Sequence, residues 1–198
     1  MFLRWSGIGG CRICAQAVDA LANGRFAVYN KVCEMHGRTD LHKIRVYIDT
    51  SIFGGTQDEE FAEATKRFFE RVHQGQFRVL VSQVTADELT DAPPAVQAVL
   101  RELPHLSIER VTAGKEVLVL AMAYIDAGAL GSAHRADAIH VASATVARAD
   151  LILSWNFKHI VNFDRIRKFN AVNLMRGYPQ IEIRSPLEVE YGDENQDI

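Results

Sequence analysis

The chain has 198 residues, a formal net charge of −3, 48% hydrophobic and 24% charged residues, which are values of one globular domain with room for a substantial core. No apolar run approaches the ~18–20 residues that cross a bilayer, which excludes a helical membrane span. The opening Met1-Phe2-Leu3-Arg4-Trp5 lacks the long apolar core of a secretion signal, so the cytoplasm is the expected compartment.

Residues 1–43 differ from the rest. They hold all three cysteines, Cys11, Cys14 and Cys33, and several glycines, with no strong periodicity outside residues 14–21. Cys11-x-x-Cys14 followed by Cys33-x-x-His36 has the ligand count and paired spacing of a small zinc site. The competing reading is a loosely ordered extension upstream of a second start at Met35. From residue 45 onward, strand and helix patterns alternate. Residues 45–49 read as a buried strand. Residues 58–73 read as an amphipathic helix with Phe61, Ala64, Phe68 and Val72 at helical spacing, stopped by Gly75. Residues 77–82 form a second predicted strand, and 84–89 open a helix cut short by Pro93-Pro94. A short helix at 95–102, a strand at 107–111 and a helix at 115–127 come next. The loop 128–132, a helix at 133–148 and short strands at 151–154 and 181–184 complete the pattern. Strands alternating with helices predict an α/β protein, a three-layer α/β/α fold on a mostly parallel sheet. The expected organisation is an extension over 1–43, one domain over 44–187 and an acidic tail over 188–198.

In a parallel sheet, functional groups gather outside the carboxyl ends of the strands, and three acids are placed to do so. Asp49 ends the run Val46-Tyr47-Ile48 and is followed by Thr50 and Ser51. Its structural alternative is a helix cap. Glu88 sits in Thr85-Ala86-Asp87-Glu88-Leu89, where Thr85-x-x-Glu88 also matches a capping box. Asp137 opens a helix and shares a face with His134, His140 and Val141, with Ala144 one turn on. A first-turn acid gains only ~0.3–1 kcal/mol from the helix dipole, too little to offset several kcal/mol for burying a carboxylate; a cation explains it better. Asn156, just past Leu151-Ile152-Leu153-Ser154, stands where a fourth acid would complete the set and offers a neutral oxygen. Asp150 falls at the opposite edge of the sheet and is rejected as a ligand. Three converging carboxylates suit divalent metal for phosphate chemistry, hence a metal-dependent nuclease.

Charge distribution fits that reading better than net charge does. The tail from Glu188 carries five acids and no Lys or Arg, leaving the rest of the chain at +2. The segment 158–176 holds Lys158, Arg165, Arg167, Lys168 and Arg176 against Asp164 alone. It reads either as a solvated helix face or as a patch that follows a phosphate backbone.

These motifs resemble the PIN domain, the nuclease fold of VapC-type toxins and several RNA-processing enzymes, over residues 46–186. Ile48-Asp49-Thr50-Ser51 looks like the first acid with its hydroxyl pair, Thr85-Ala86-Asp87-Glu88-Leu89 like the second-acid helix, and Arg135-Ala136-Asp137-Ala138 like the third. Leu153-Ser154-Trp155-Asn156 is similar to a strand end where many members carry an acid; Asn156 departs from it. The resemblance implies an endoribonuclease dependent on Mg²⁺ or Mn²⁺, with Asp49, Glu88 and Asp137 as metal ligands. Asn156 becomes a secondary ligand or water-orienting group, and Lys158 and His159 are candidates to neutralise phosphate. It further implies RNA as substrate, the toxin of a type II toxin–antitoxin pair with an antitoxin partner, and a homodimer. Phe61, Phe68 and Phe69 are candidates for unburied apolar surface at that dimer. Two alternatives stay open: a catalytically inactive PIN-like nucleic-acid-binding or scaffold module, and a phosphotransfer hydrolase with Asp49 as nucleophile.

Overall fold

The computed structural model describes residues 43–189. The expected extension, the proposed zinc ligands Cys11, Cys14, Cys33 and His36, and the tail beyond residue 189 lie outside the described residues. Five strands, β1 (Ile44–Ile48), β2 (Phe77–Ser82), β3 (Ile108–Val111), β4 (Leu151–Leu153) and β5 (Glu182–Arg184), form one sheet in the order β3-β2-β1-β4-β5. Every pairing is parallel. Seven α-helices accompany the sheet among the described residues: α1 (Thr50–Gly54), α2 (Ala62–His73), α3 (Gln83–Thr90), α4 (Pro94–Glu102), α5 (Lys115–Asp126), α6 (Arg135–Val146) and α7 (Phe163–Met175).

Successive strand side chains point to opposite faces, and here both faces are covered. Val46, Ile48, Val79, Val81, Leu151 and Leu153 pack with Ile52 of α1, Phe68, Phe69 and Val72 of α2, Leu89 of α3 and Val96 of α4. Tyr47, Leu80, Ile152 and Ile183 pack against Leu120 and Tyr124 of α5, Val141 and Ala144 of α6, and Phe169 of α7. The three-layer expectation is thus met, and it explains why β1, β2 and β4 read as continuous apolar runs instead of alternating ones. Each fully buried aliphatic side chain here contributes roughly 1.5–3 kcal/mol.

Several local expectations are corrected. Helix α2 begins at Ala62, not residue 58, because Asp58 through Phe61 form a turn in which Phe61 and Ala62 N–H groups donate to Asp58 O. Phe68 and Phe69 are both buried, and Phe61 stacks on Trp155 at 4.3 Å, so these rings are not the unburied surface expected of them. The exposed apolar side chains lie elsewhere, among them Leu118, Val119 and Met122 on α5 and Leu174 and Met175 at the end of α7. Helix α1 was not foreseen, since five residues are too few to display a period. Gly55, just after it, lies so close to the Trp155 indole that an added Cβ would meet Nε1 at 2.5 Å. Glu188 belongs to a 3₁₀ turn, Pro186–Val189, and its carboxylate accepts from Ser185 N–H and Oγ at 2.8 and 2.9 Å.

The strand order decides where a site can form. The chain builds outward from β1 through β2 to β3, then returns to place β4 and β5 on the other side of β1. The carboxyl ends of β1 and β4 therefore flank the point where the winding direction reverses, the crevice where open parallel sheets bind ligands.

Candidate active site

Asp49 stands at that crevice. It occupies the N-cap position of α1 with extended backbone, yet its side chain makes no capping hydrogen bond. Instead Ser51 Oγ donates to Oδ1 at 2.6 Å and Ser154 Oγ, from the end of β4, donates to Oδ2 at 2.9 Å. The two hydroxyls are themselves held: Trp155 N–H donates to Ser51 Oγ and Asn156 N–H to Ser154 Oγ, both at 2.9 Å. Asp49 is only 4% exposed. Burial pushes its carboxyl above the usual range; His140 and the two hydroxyls pull the other way, and the neighbouring charge of Asp137 adds to the rise.

Glu88 is not part of a capping box. The N-cap of α3 is Ser82, whose Oγ accepts from Thr85 N–H, and Thr85 is buried inside the helix rather than ahead of it. The Thr-x-x-Glu spacing failed as a boundary signal because a serine three residues earlier, at the end of β2, takes the cap. Glu88 instead accepts from Thr50 Oγ1 and pairs with His140 Nε2 at 3.1 Å. The bond to His140 is the main reason its carboxyl titrates below the usual range, against partial burial. His140 is 3% exposed and reaches through the sheet-facing side of α6, with Nδ1 2.8 Å from the Tyr47 hydroxyl, which in turn donates to Ser82 Oγ. Burial raises the Tyr47 phenol to about 12, so it stays protonated. A continuous line of polar groups thus runs from β2 through β1 and α6 to Glu88. Sequence reasoning placed His140 beside Asp137 and gave it no role. The available signal was an imidazole amid Ala138, Val141, Ala142 and Ala144, which needs a buried partner.

Asp137 lies in the first turn of α6, half-buried, and no side chain caps that helix. Its Oδ1 accepts from Asn156 Nδ2 at 2.9 Å, and His134 Nδ1 lies 3.6 Å from Oδ2. Asn156 Oδ1 accepts from His159 N–H at 2.9 Å. The amide therefore bridges the loop after β4 to the start of α6, using both ends. His159 stacks on His134 with ring centroids 3.7 Å apart. Desolvation, then the charge of His134, holds the His159 imidazole below its ordinary value.

The charge of Asp137 acts on Asp49, Glu88 and Asp49 share His140 as a neighbour, and Asn156 contacts Asp137. Among the described residues, the three side chains whose ligand atoms all lie within 4.8 Å of one another are His134, Asp137 and His159. The Asp49–Glu88–Asp137 trio is more open. Its donors are all oxygen, the kind a hard cation takes when a few carboxylates are completed by water and phosphate oxygens, and the three are not drawn within 4.8 Å of one another. The burial of Asp49, whose carboxyl is held above the usual range chiefly by desolvation, favours a cation there, because a cation offsets that desolvation. Asp150 sits at the other edge of the sheet, accepting from Arg45 N–H at 2.8 Å.

The basic segment is helix α7 and the loop before it. Asn162 caps α7 by accepting from Arg165 N–H. Arg165 donates to Ala129 O at 2.9 Å and Lys168 to Gly128 O at 3.0 Å, so both cations also fasten α7 to the loop after α5. With Lys158, Asn162 and Asp164 they line an open hollow of about 480 Å³. Lys158 is exposed, and the Arg167 guanidinium lies over the Phe163 ring.

No protein-family model matches this chain, and no curated protein sequence does. Solved structures with a similar course of the chain include VapBC2 from Rickettsia felis bound to a DNA fragment from their promoter, at 11% identity. That alignment covers 71% of this chain and 98% of the other, with a TM-score of 0.45. DNA-bound VapBC from Salmonella typhimurium is 14% identical over 72% of this chain and 98% of that one, with a TM-score of 0.45. FitAcB from Neisseria gonorrhoeae is 12% identical over 73% and 99%, again at 0.45.

Proposed function

We propose that this chain is a divalent-metal-dependent endoribonuclease of PIN type, hydrolysing phosphodiester bonds in RNA. One observation carries the reading: a carboxylate, Asp49, is buried at the switch point of a parallel sheet and makes no capping hydrogen bond, with the charge of Asp137 adding to the cost of its own. His140 and two serine hydroxyls offset that charge in part, and burial still outweighs them. Asp49, Glu88 and Asp137 are the proposed ligands. Mg²⁺ or Mn²⁺, when bound, supplies positive charge against the scissile phosphate.

The chain's own residues supply orientation. Ser51 and Ser154 fix both Asp49 oxygens, Thr50 and His140 hold Glu88, and Asn156 holds Asp137 through Oδ1. Lys158, Arg165 and Lys168 offer cationic side chains at the adjoining hollow for a phosphate backbone. Engagement of both Asp49 oxygens by hydroxyls, at 4% exposure, disfavours Asp49 as a nucleophile. The scaffold alternative keeps the same fold and loses only the chemistry.

The test is cleavage of single-stranded RNA by the full chain with Mn²⁺ or Mg²⁺ added. Asp49→Asn and Asp137→Asn are each expected to abolish cleavage with the fold intact; full activity in EDTA or in either variant refutes the proposal. The toxin role, an antitoxin partner, cytoplasmic action and a homodimer complete the reading and rest on the resemblance of the motifs. The dimer now looks to the exposed Leu118, Val119 and Met122 for its apolar surface. A strict monomer by light scattering at tens of micromolar, roughly where weak dimers form, removes that part.

A further inference from the structure

We infer that His134, Asp137 and His159 form a separate binding site for a first-row transition-metal ion of the class that prefers imidazole, such as Co²⁺ or Zn²⁺. The inference goes beyond the hard-cation site at Asp49 and shares one residue with it.

Two imidazoles and a carboxylate whose ligand atoms all lie within 4.8 Å of one another are close to the separation that one ion demands. Zinc holds nitrogen and oxygen ligands at roughly 2.0–2.2 Å, so donors on one ion stand at most about 4.4 Å apart. His134 and His159 stack with centroids 3.7 Å apart, so the rings must also turn about their side-chain bonds to aim both in-plane lone pairs at one ion. His134 Nδ1 and Asp137 Oδ2 are already at 3.6 Å.

The frame around these ligands is stiff. His134 ends the 3₁₀ turn Ser132–His134, whose last N–H donates to Gly131 O at 2.9 Å. Asp137 is one turn into α6, three residues on, which puts it on the same side of the helix start. His159 is brought in from the loop after β4 by Asn156, which accepts its N–H and donates to Asp137 Oδ1. Asn156 is thus the positioning residue, spanning the two elements that supply the ligands. It leaves Oδ2 of Asp137 turned toward the imidazoles.

A second observation points independently to a ligand. Nδ1 of His159 is buried and has no hydrogen-bond partner, a condition that costs free energy for a polar atom. Coordination through Nδ1 releases that cost. Two stacked imidazoles beside one carboxylate also gain little from each other: as a pair of cations they repel, and as neutral rings each leaves a lone pair unused. A metal uses both lone pairs. Lys158 and Arg165 are the nearby charges that oppose a cation here. The donor set selects the ion. Imidazole suits Co²⁺, Ni²⁺, Cu²⁺ and Zn²⁺ along the usual affinity order, and does not suit Mg²⁺.

The experiment titrates Co²⁺ into the metal-free full-length protein and follows visible d–d absorption. Thiolate ligation by Cys11, Cys14 or Cys33 would add sulfur-to-cobalt charge-transfer bands in the near ultraviolet, so it is distinguished, and a variant with all three changed to Ser repeats the titration without them. One Co²⁺ with a nitrogen–oxygen spectrum is expected. His134→Asn and His159→Gln are each expected to weaken it at least about tenfold, and Asn156→Ala by about tenfold, the usual range for an orienting partner. In a parallel measurement on the unsubstituted chain, Co²⁺ should perturb the imidazole resonances of His134 and His159 before those of His140. Absence of a nitrogen–oxygen band, or an unchanged titration in both histidine variants, overturns the site. RNA cleavage is not read in any of these arms, so failure of the nuclease proposal leaves the result interpretable.

Discussion

Asp49→Asn should make the metal-free protein more stable and the metal-loaded protein less so. The carboxylate is 4% exposed and bonded by two serine hydroxyls. Burying its charge costs several kcal/mol even after relaxation, while two hydrogen bonds to a charged group return about 1.5–3 kcal/mol each. Its carboxyl lies above the usual range, so desolvation, with Asp137 adding to it, outweighs the hydroxyls and His140. An isosteric amide removes the charge at the cost of reversing one hydroxyl hydrogen bond, about 0.5–1.5 kcal/mol. The direction of the shift makes the balance a gain, and each kcal/mol of it raises Tm by about 2–4 °C in a domain of this size. A cation at a hundredfold excess over its Kd adds about 2.7 kcal/mol to the unsubstituted protein alone, enough to invert the order. The pH dependence has a definite sign. Because the native state holds the Asp49 proton more tightly than the unfolded chain does, its contribution is fully present below the unfolded pKa of ~3.9 and is lost as pH rises through the higher native value. The gap between variant and parent in EDTA should therefore close on acidification. Thermal melts with and without Mn²⁺ at several pH values decide it. A variant that melts below the parent in EDTA at neutral pH refutes the argument and returns Asp49 to a structural role.

His140→Leu leaves the buried Tyr47 hydroxyl and Glu88 each short of a partner, and is expected to cost roughly 1–3 kcal/mol in urea unfolding. Glu88 titrates low in the native state, so its stabilisation is present above the unfolded value and is lost as pH falls through the native one; the His140→Leu deficit should narrow in that window, and a deficit that does not change with pH counts against the pairing. Neutralising Arg165, Arg167 and Lys168 together should weaken RNA binding and lower the magnitude of its salt slope by about 2, at ~0.7 per single-strand phosphate contact. An unchanged slope, measured by anisotropy across salt concentrations, returns these cations to the solvated face, with Arg165 and Lys168 fastening the Gly128–Ala129 loop.

Chain order and local pattern were enough to read the layers of this protein. Apolar runs such as Phe77–Ser82 and the helical spacing through α2 and α5 follow from short-range rules of burial and periodicity, and strand–helix alternation then implies a parallel sheet. The acids could be located at strand and helix ends for the same reason. What local pattern cannot carry is which strands become neighbours. Only the order β3-β2-β1-β4-β5 sets Ser154 against Asp49, 105 residues away, and Asn156 against Asp137. Tertiary contact also decided between rival local motifs: Ser82 took the cap that the Thr85–Glu88 spacing suggested, and Phe61 went to Trp155 rather than to the outer surface. The role of His140 had no sequence signature beyond an imidazole among small apolar residues, because its partners Tyr47 and Glu88 lie 93 and 52 residues away. Sequence records which groups the chain carries and their local spacing; the distances that turn such groups into a site arise from packing, where partners remote in the chain exclude water together.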